Sequence, residues 1–472
     1  MVDDYSINTG VIRTLGVVDY ILFGMLFVLS AAIGFYHAFK DRKNTSASNF
    51  HLSDRKMHPI PVSMSLTATF MSAITLLGNP SEIYTHGTMF YWILVAMLIA
   101  TICTNYLFLP VFYNLGKTSC FEYIQLRFGP ELRTFASVIY LIQTLLYMGF
   151  VMYAPCLAFQ AVTGLSLWGT MIGATVVCTL YTTLGGMKTV LWTDTLQLVV
   201  MLTGLVTVLA ESSRVTGGFA RAWEIANENG RIELLNFSPD PKTRHSAWSM
   251  SIGAGIFWTY LYGLNQAQVQ RACSLPSLKK AQLAVWMNFP GLVVIITLTC
   301  MIGITMFAFY KDCDPVKFGL INKADQMLPL MVLDILGNIP GLTGLFVACV
   351  FSGSLSSISS GLNAMSAVLL EDFLKPTCMK NSNVKREIFL SKISVIGFGV
   401  VQFGVAFLIS QGSGMIIQLS YSMFSIMSGP LMGLFISGLV FPWTNKYGAI
   451  SGLLTSLGIM CWLVLGAALE SP

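Results

Sequence analysis

Between Val350 and Asn363 the chain reads VFSGSLSSISSGLN, a run of hydroxyls inside an apolar stretch from about Gly341 to Phe373 that is longer than the roughly 20 residues needed to cross a bilayer. Ser352, Ser356, Ser359 and Ser360 stand at i, i+4, i+7 and i+8, so a helix places them on one face with Ser357 beside them. Gly353 and Gly361 admit a neighbouring helix closely. Two kinds of chemistry suit such a face. Membrane serines bond back to the carbonyl four residues earlier and let helices pack, with no ligand involved. Alternatively, adjacent hydroxyl pairs supply neutral oxygens to a small hard cation, which takes oxygen ligands. The doubled pair in SSISS favours the cation.

A charged partner is then expected elsewhere, and Asp194 in WTDTLQ is the obvious candidate. It lies about six residues, or about 9 Å, into an apolar span. An intramembrane carboxylate costs roughly 2.5–3.5 kcal/mol on insertion scales and marks a functional site by default. The alternative is an aspartate that reaches the interface or bonds to its neighbours. Ser359 and Ser360 fall at comparable depth, which favours a cation held between them and Asp194.

The elements that must position these residues follow from composition. With 472 residues, 54% hydrophobic, 10% charged and a mean hydropathy of +0.69, the chain is no soluble domain, where about a quarter of residues are charged. It reads as an all-α polytopic membrane protein. Apolar runs at 17–39, 59–84, 87–113, 132–162, 166–184, 189–211, 247–266, 281–309, 341–373, 387–410, 414–441 and 447–467 make about twelve spans. An extracellular N-terminus puts Lys and Arg, Arg271 among them, on the cytosolic side by about two to one. The same orientation places the sequon Asn236-Phe237-Ser238 in the longest outer loop, a candidate glycosylation site with Pro239 weighing against it, and Asn44-Thr45-Ser46 in the cytosol, where it would be unused. His245 reads as a solvated residue of that outer loop. The ten cysteines lie mostly in spans and cytosolic loops, which is no disulfide framework.

The second span carries Ser63, Ser65, Thr67, Thr69, Ser72 and Thr75 and then Gly78-Asn79-Pro80, so its backbone is expected to be interrupted. Five spans later SMSIGAGIFWTYLYGLNQ is similarly rich in glycine and polar residues. Matching irregular helices five spans apart begin on opposite sides of the membrane, the mark of an inverted repeat with its site at the midplane. The expected layout is 1–58 for the N-terminal segment and first span, 59–211 for the first repeat, 212–246 for an extracellular loop, 247–441 for the second repeat and 442–472 for the last span.

These residues resemble the sodium:solute symporter family from about Val18 to Leu465. The similarity is carried by ATFMSAITLLGNPSEIY, YTTLGGMKTVLWTDTLQ, YGLNQAQVQR and PGLTGLFVACVFSGSLSSISSGLNAM. KDCDP, ADQMLPLMVLDIL and LLEDFLKP lean toward its sodium-coupled monocarboxylate branch, with the multivitamin branch second. The resemblance implies a leucine-transporter-like inverted five-helix repeat with flanking helices. It implies a main sodium site at the carbonyls of Ala68 and Met71 with Gly353, Ser356 and Ser357, and a second at Asp194, Ser359 and Ser360, with Ser356 shared. Substrate contacts map to Ser72, Ala73, Thr75, Tyr262, Asn265 and Gln418. Thr75 replaces the histidine of sugar-transporting members, which disfavours a sugar. Animal members resemble thirteen-span proteins with a cytosolic tail, whereas twelve spans are read here.

A broken helix offers unpaired N–H groups as a seat for a carboxylate, which independently favours an anionic substrate. Leu76, Leu77, Phe150 and Phe257 would suit a short aliphatic tail. No triad, phosphate loop or metalloprotease motif is present, so neither an enzyme nor a cofactor is expected, and sodium is the only metal. The expected partners are a small organic anion, sodium and the lipid bilayer, with no nucleic acid, and the expected location is the plasma membrane. The sequence-level function is a sodium-coupled importer of a short-chain monocarboxylate, with a biotin- or pantothenate-type carrier as the alternative. A channel or a non-transporting receptor ranks below both, since an inverted repeat around one occluded site suits alternating access.

Overall fold

The computed structural model describes residues 15–40, 47–163, 166–240, 242–321, 324–337, 339–378, 384–411 and 416–470. Among the described residues every regular element is a helix. The chain begins with α1 (Val17–Lys40) and the short α2 (Ala47–Leu52), then α3 (Pro59–Phe70) and α4 (Ala73–His86). α5 (Ile93–Cys103), α6 (Leu109–Leu115), α7 (Glu122–Phe128), α8 (Pro130–Thr163) and α9 (Leu167–Val215) follow, and α10 (Phe219–Glu228) lies in the long loop. Next come α11 (Ala254–Gly263), α12 (Gln266–Ala272), α13 (Leu278–Tyr310), α14 (Met327–Leu336) and α15 (Leu342–Val368). The last helices are α16 (Lys375–Cys378), α17 (Val384–Ser410), α18 (Ile416–Val440) and α19 (Lys446–Glu470).

The serine-bearing helix α15 is the centre of the bundle. In its most apolar stretch 89% of residues are buried, against 22% for α1 and α17 and 11% for α19, so those three form the lipid-facing shell. α15 packs against α1, α3, α8, α9 and α17. Its start is fixed by Asp19 of α1, whose Oδ1 accepts from the N–H groups of Gly341 and Gly344 at 3.0 and 2.9 Å. A carboxylate there satisfies two of the four free donors and suits the positive end of the helix.

By length and hydropathy, nine helical stretches among the described residues can cross a membrane, ten if the α3–α4 pair is one bent span. The sequence reading of about twelve differs from this at two places. Residues 166–184 and 189–211, read as separate spans, are the two helices of the 49-residue α9, which meet at a kink where Gly186 leaves helical geometry at φ 59° and ψ −153°; they count once above only because they are continuous, though together they are long enough to cross twice. The seventh span is cut at Leu264 and Asn265 into α11 and α12, each too short to cross alone.

The second span is interrupted, but not at Gly78-Asn79-Pro80, which α4 carries within its helix. The break falls at Met71 and Ser72, where α3 and α4 diverge by 58°. No glycine or proline stands there, so local propensity does not cause it. The cause is tertiary: Ser357 Oγ of α15 donates to the carbonyl of Thr69 at 2.6 Å, while Gly353 lets the loop approach so closely that a Cβ there would lie 2.7 Å from Met71 O.

Candidate functional site

The broken helix and the serine face of α15 meet, and the two roles weighed for the serines divide between residues. Ser360 Oγ bonds back to Ser356 O, and Ser359 Oγ to the same carbonyl at 3.1 Å. Ser357 Oγ serves both Gly353 O at 3.0 Å and Thr69 O. Ser352 Oγ is buried with no hydrogen-bond partner, and Ser356 Oγ and Ser72 Oγ make no bond of ordinary length, their nearest polar neighbours being the Asp194 carboxylate and the Tyr147 hydroxyl. Buried polar atoms are normally satisfied, and each orphan costs about 1–3 kcal/mol. Orphaned oxygens at a helix break fit a small cation as the missing partner. Met71 O faces Gly353, and Ala68 immediately precedes Thr69, whose carbonyl Ser357 reaches; both are fully buried.

This geometry separates the two central serines experimentally. Ser356→Ala removes an oxygen that makes no bond of ordinary length and whose polar neighbour is the Asp194 carboxylate, so it is expected to raise the sodium concentration for half-maximal uptake several-fold at a normal surface level. Ser357→Ala also removes the bond to Thr69 O, worth about 0.5–1.5 kcal/mol, and is expected to lower the surface level as well. Unchanged sodium dependence in both variants would remove these serines from the ion site.

Asp194 is fully buried, and its environment contains a residue the sequence reading misplaced. Arg271, counted there among cytosolic loop charges, is the largest fully buried side chain among the described residues and pairs with Asp194 Oδ2 at 3.1 Å. Ser65 Oγ donates to the same oxygen at 2.5 Å and accepts from Arg271 Nε at 2.8 Å. The guanidinium also donates to Ala267 O at 2.6 Å and to Ser360 Oγ. One carboxylate oxygen is thus saturated. The other, Oδ1, makes no bond of ordinary length, and its polar neighbour is the Ser356 hydroxyl. Of the oxygens read as a second cation site, Ser360 Oγ accepts from Arg271, Ser359 Oγ donates to a backbone carbonyl and keeps its lone pairs, and Asp194 Oδ1 makes no bond of ordinary length, with Ser356 beside it.

Next to the break lies a tight cavity of about 10 Å³, lined by Ser72, Thr75, Tyr147, Phe257, Trp258 and Tyr421 among others. Ser72 precedes α4 without capping it, so the first N–H groups of that helix lack a side-chain partner. Thr75 Oγ1 bonds to Phe70 O at 3.3 Å. Above the cavity an open vestibule of about 360 Å³ shares Phe257, Trp258 and Tyr421 with it as a floor. Of the substrate contacts expected from sequence, Ser72 and Thr75 line the cavity and Ala73 is buried behind them. Tyr262 packs on Phe70 with ring centroids 6.1 Å apart, and its buried hydroxyl makes no bond of ordinary length, its polar neighbour being Asn288. Asn265 instead caps α12, its side chain accepting from Ala267 N at 3.0 Å. The side chain of Gln418 and the sequon at Asn44 lie outside the described residues. Phe257 lines the cavity, whereas Leu76, Leu77 and Phe150 are core residues. Tyr147, which no sequence pattern singles out, stands beside Ser72 and Ser357. Asn236 is half-buried, and its amide is held by Glu233 Oε1 at 3.1 Å and Ser238 N at 3.0 Å.

Residues 50–456 match the sodium:solute symporter family. The chain belongs to that family. Among its relatives, the Homo sapiens sodium-coupled monocarboxylate transporter 2 is 42% identical over 97% of this chain and 74% of its own length. The Homo sapiens sodium-coupled monocarboxylate transporter 1 is 41% identical over 98% and 75%, and the Homo sapiens sodium/iodide cotransporter 40% identical over 99% and 72%. In three dimensions, this family member shares its fold with a Na+-coupled sialic acid symporter in a substrate-bound outward-open state. The TM-score is 0.84 at 20% identity, over 97% of this chain and 99% of that one.

Proposed function

We propose that the protein is a sodium-coupled symporter that imports a short-chain monocarboxylate by alternating access at the break between α3 and α4. The single observation that carries the substrate class is the uncapped start of α4 opening on a cavity lined by the Ser72 hydroxyl, a seat for an anion with aromatic walls for its tail. The named activity of two of its relatives supports the carboxylate. In this reading the carbonyls of Ala68 and Met71 with Gly353, Ser356 and Ser357 hold one sodium ion. Asp194 Oδ1 with Ser356 holds a second, and Ser359 and Ser360 supply only supporting contacts. Ser72, Ala73, Thr75 and Tyr262 surround the substrate, and Asn265 acts through the α12 cap.

The finer architecture belongs to the same proposal. α3–α4 and α11–α12, each broken near its middle, are the first helices of two inverted five-helix repeats over 59–211 and 247–441, in a plasma-membrane protein with an outer N-terminus and about twelve spans. Asn236 lies in the outer loop 212–246 and is a glycosylation acceptor there.

Competition against uptake of radiolabelled butyrate tests the anion seat. Methyl butyrate and butyramide are expected to compete at least tenfold more weakly than butyrate, because neither presents a negative charge to α4. Equal competition by the neutral analogues would dismiss the seat. Biotin, nicotinate and iodide run in parallel separate the monocarboxylate reading from the vitamin reading and from the activity named for the iodide relative.

A further inference from the structure

The vestibule above the aromatic floor has a charged wall, built around Glu82 near the end of α4, besides the hydroxyls of Ser422 and Ser425 from α18. Glu82 is only 5% exposed, yet three cationic or imidazole side chains converge on it. Arg244 donates through Nε to Oε1 at 2.6 Å and through Nη2 to Oε2 at 3.1 Å. His245 Nε2 and His86 Nδ1 reach Oε1 at 3.1 and 3.3 Å. His245, expected to be solvated, is therefore a packed residue at 10% side-chain exposure, wedged between the rings of His86 and Phe90, each 5.8 Å away. This network fixes Arg244 in one orientation. Its Nε edge is spent on Glu82, while its side chain stays 41% exposed and lines the vestibule with the Nη1 end making no hydrogen bond among the described residues.

A guanidinium held this way presents a second donor edge, and a planar fork matches a carboxylate better than a spherical anion. The facing walls, Phe90, Ile93, Met250 and Ala254, are apolar and suit a short hydrocarbon tail. The inner cavity, at about 10 Å³, has no room for an acid in this conformation, whereas the vestibule has about 360 Å³. We propose that Arg244 is the anion seat of an outer carboxylate subsite, occupied before the acid passes the floor of Phe257, Trp258 and Tyr421. This rests on the reading that the substrate is a carboxylic acid. Glu82 is a positioning residue that holds the fork and keeps the wall near neutral, so that the acid is released inward rather than trapped.

The test uses the full chain at the cell surface with Ser425→Cys as a reporter in the vestibule and Cys313→Ser to silence the loop thiol. Modification of the reporter by an uncharged, impermeant thiol reagent is timed with sodium replaced by N-methylglucamine, so that the sodium-dependent inner site does not load. Butyrate at 10 mM is expected to slow modification at least threefold, butyramide to leave it unchanged, and Arg244→Gln to abolish the protection. Arg244→Lys, which keeps the charge without the fork, is expected to keep only part of it, and carries the test if Arg244→Gln does not reach the surface. Absence of protection in the Arg244 form, or undiminished protection in both variants, would overturn the outer subsite. Sodium-driven butyrate uptake in the same cells separates the two proposals: uptake without protection rejects only the outer seat, and no uptake of any acid rejects the reading of the inner site.

Discussion

Asp194→Asn alone is expected to abolish sodium-driven uptake and to deplete the protein from the surface, and Arg271→Gln added to it is expected to restore the surface level. The pair is fully buried at 3.1 Å, and removing one partner strands the other as an uncompensated charge. Such a loss costs about 3–5 kcal/mol, whereas removing both together is often close to neutral. A protein with a net stability of about 5–15 kcal/mol does not absorb the single change unharmed. The double variant retains the neutral part of the Ser65 and Ser360 network. It should therefore fold while losing any sodium that depends on the Asp194 carboxylate. Surface labelling and uptake across the four members of the cycle measure this. An Asp194→Asn variant with normal surface level and uptake would show that the carboxylate neither balances Arg271 nor binds an ion.

Two sodium ions are expected to move with each acid anion, despite the guanidinium in the second site. At an effective dielectric of about 20, a cation about 3 Å from the carboxylate gains about 5.5 kcal/mol, and a guanidinium about 6 Å away on the far oxygen repels it by about 3 kcal/mol. Attraction wins by about 2.5 kcal/mol, so Arg271 weakens the second sodium site without abolishing it. Its energetic effect is large. A tenfold sodium gradient supplies about 1.4 kcal/mol per ion, and about 60 mV adds roughly 1.4 kcal/mol per net charge moved inward. One sodium with one monovalent anion is electroneutral and supports about tenfold accumulation; two sodium ions carry a net charge and support about a thousandfold. Simultaneous current and tracer flux should give about one inward charge per butyrate. Electroneutral uptake would reduce the count to one and leave Asp194 as the partner of Arg271 alone.

What was legible in the sequence was polarity out of place. The SSISS face stands out because lipid gives it no use, and the structure makes it the buried face of the central helix. The interruption of the second span was readable from its hydroxyls, but its position was not. Gly78-Asn79-Pro80 is the local breaker, yet the chain breaks at Met71–Ser72 because α15 supplies the contacts there. Arg271 was hidden by the rule that exposes it elsewhere: positive charges beside spans count as loop residues. Only the bundle brings it to Asp194, 77 positions away in sequence. His245 was misread for the same reason, since its partner Glu82 belongs to the other half of the chain. Partnership between distant charges is a property of packing, and no spacing rule within one helix reports it.

The most direct test of sodium-coupled carboxylate import is the steady-state accumulation of butyrate in proteoliposomes containing only this chain. The measurement is made with a tenfold inward sodium gradient and about 60 mV, negative inside. Accumulation of well over tenfold, collapsing when sodium is equalised across the membrane and the potential is dissipated, is the predicted result. Butyrate that only equilibrates under the full gradient, or accumulates equally without sodium, would contradict it.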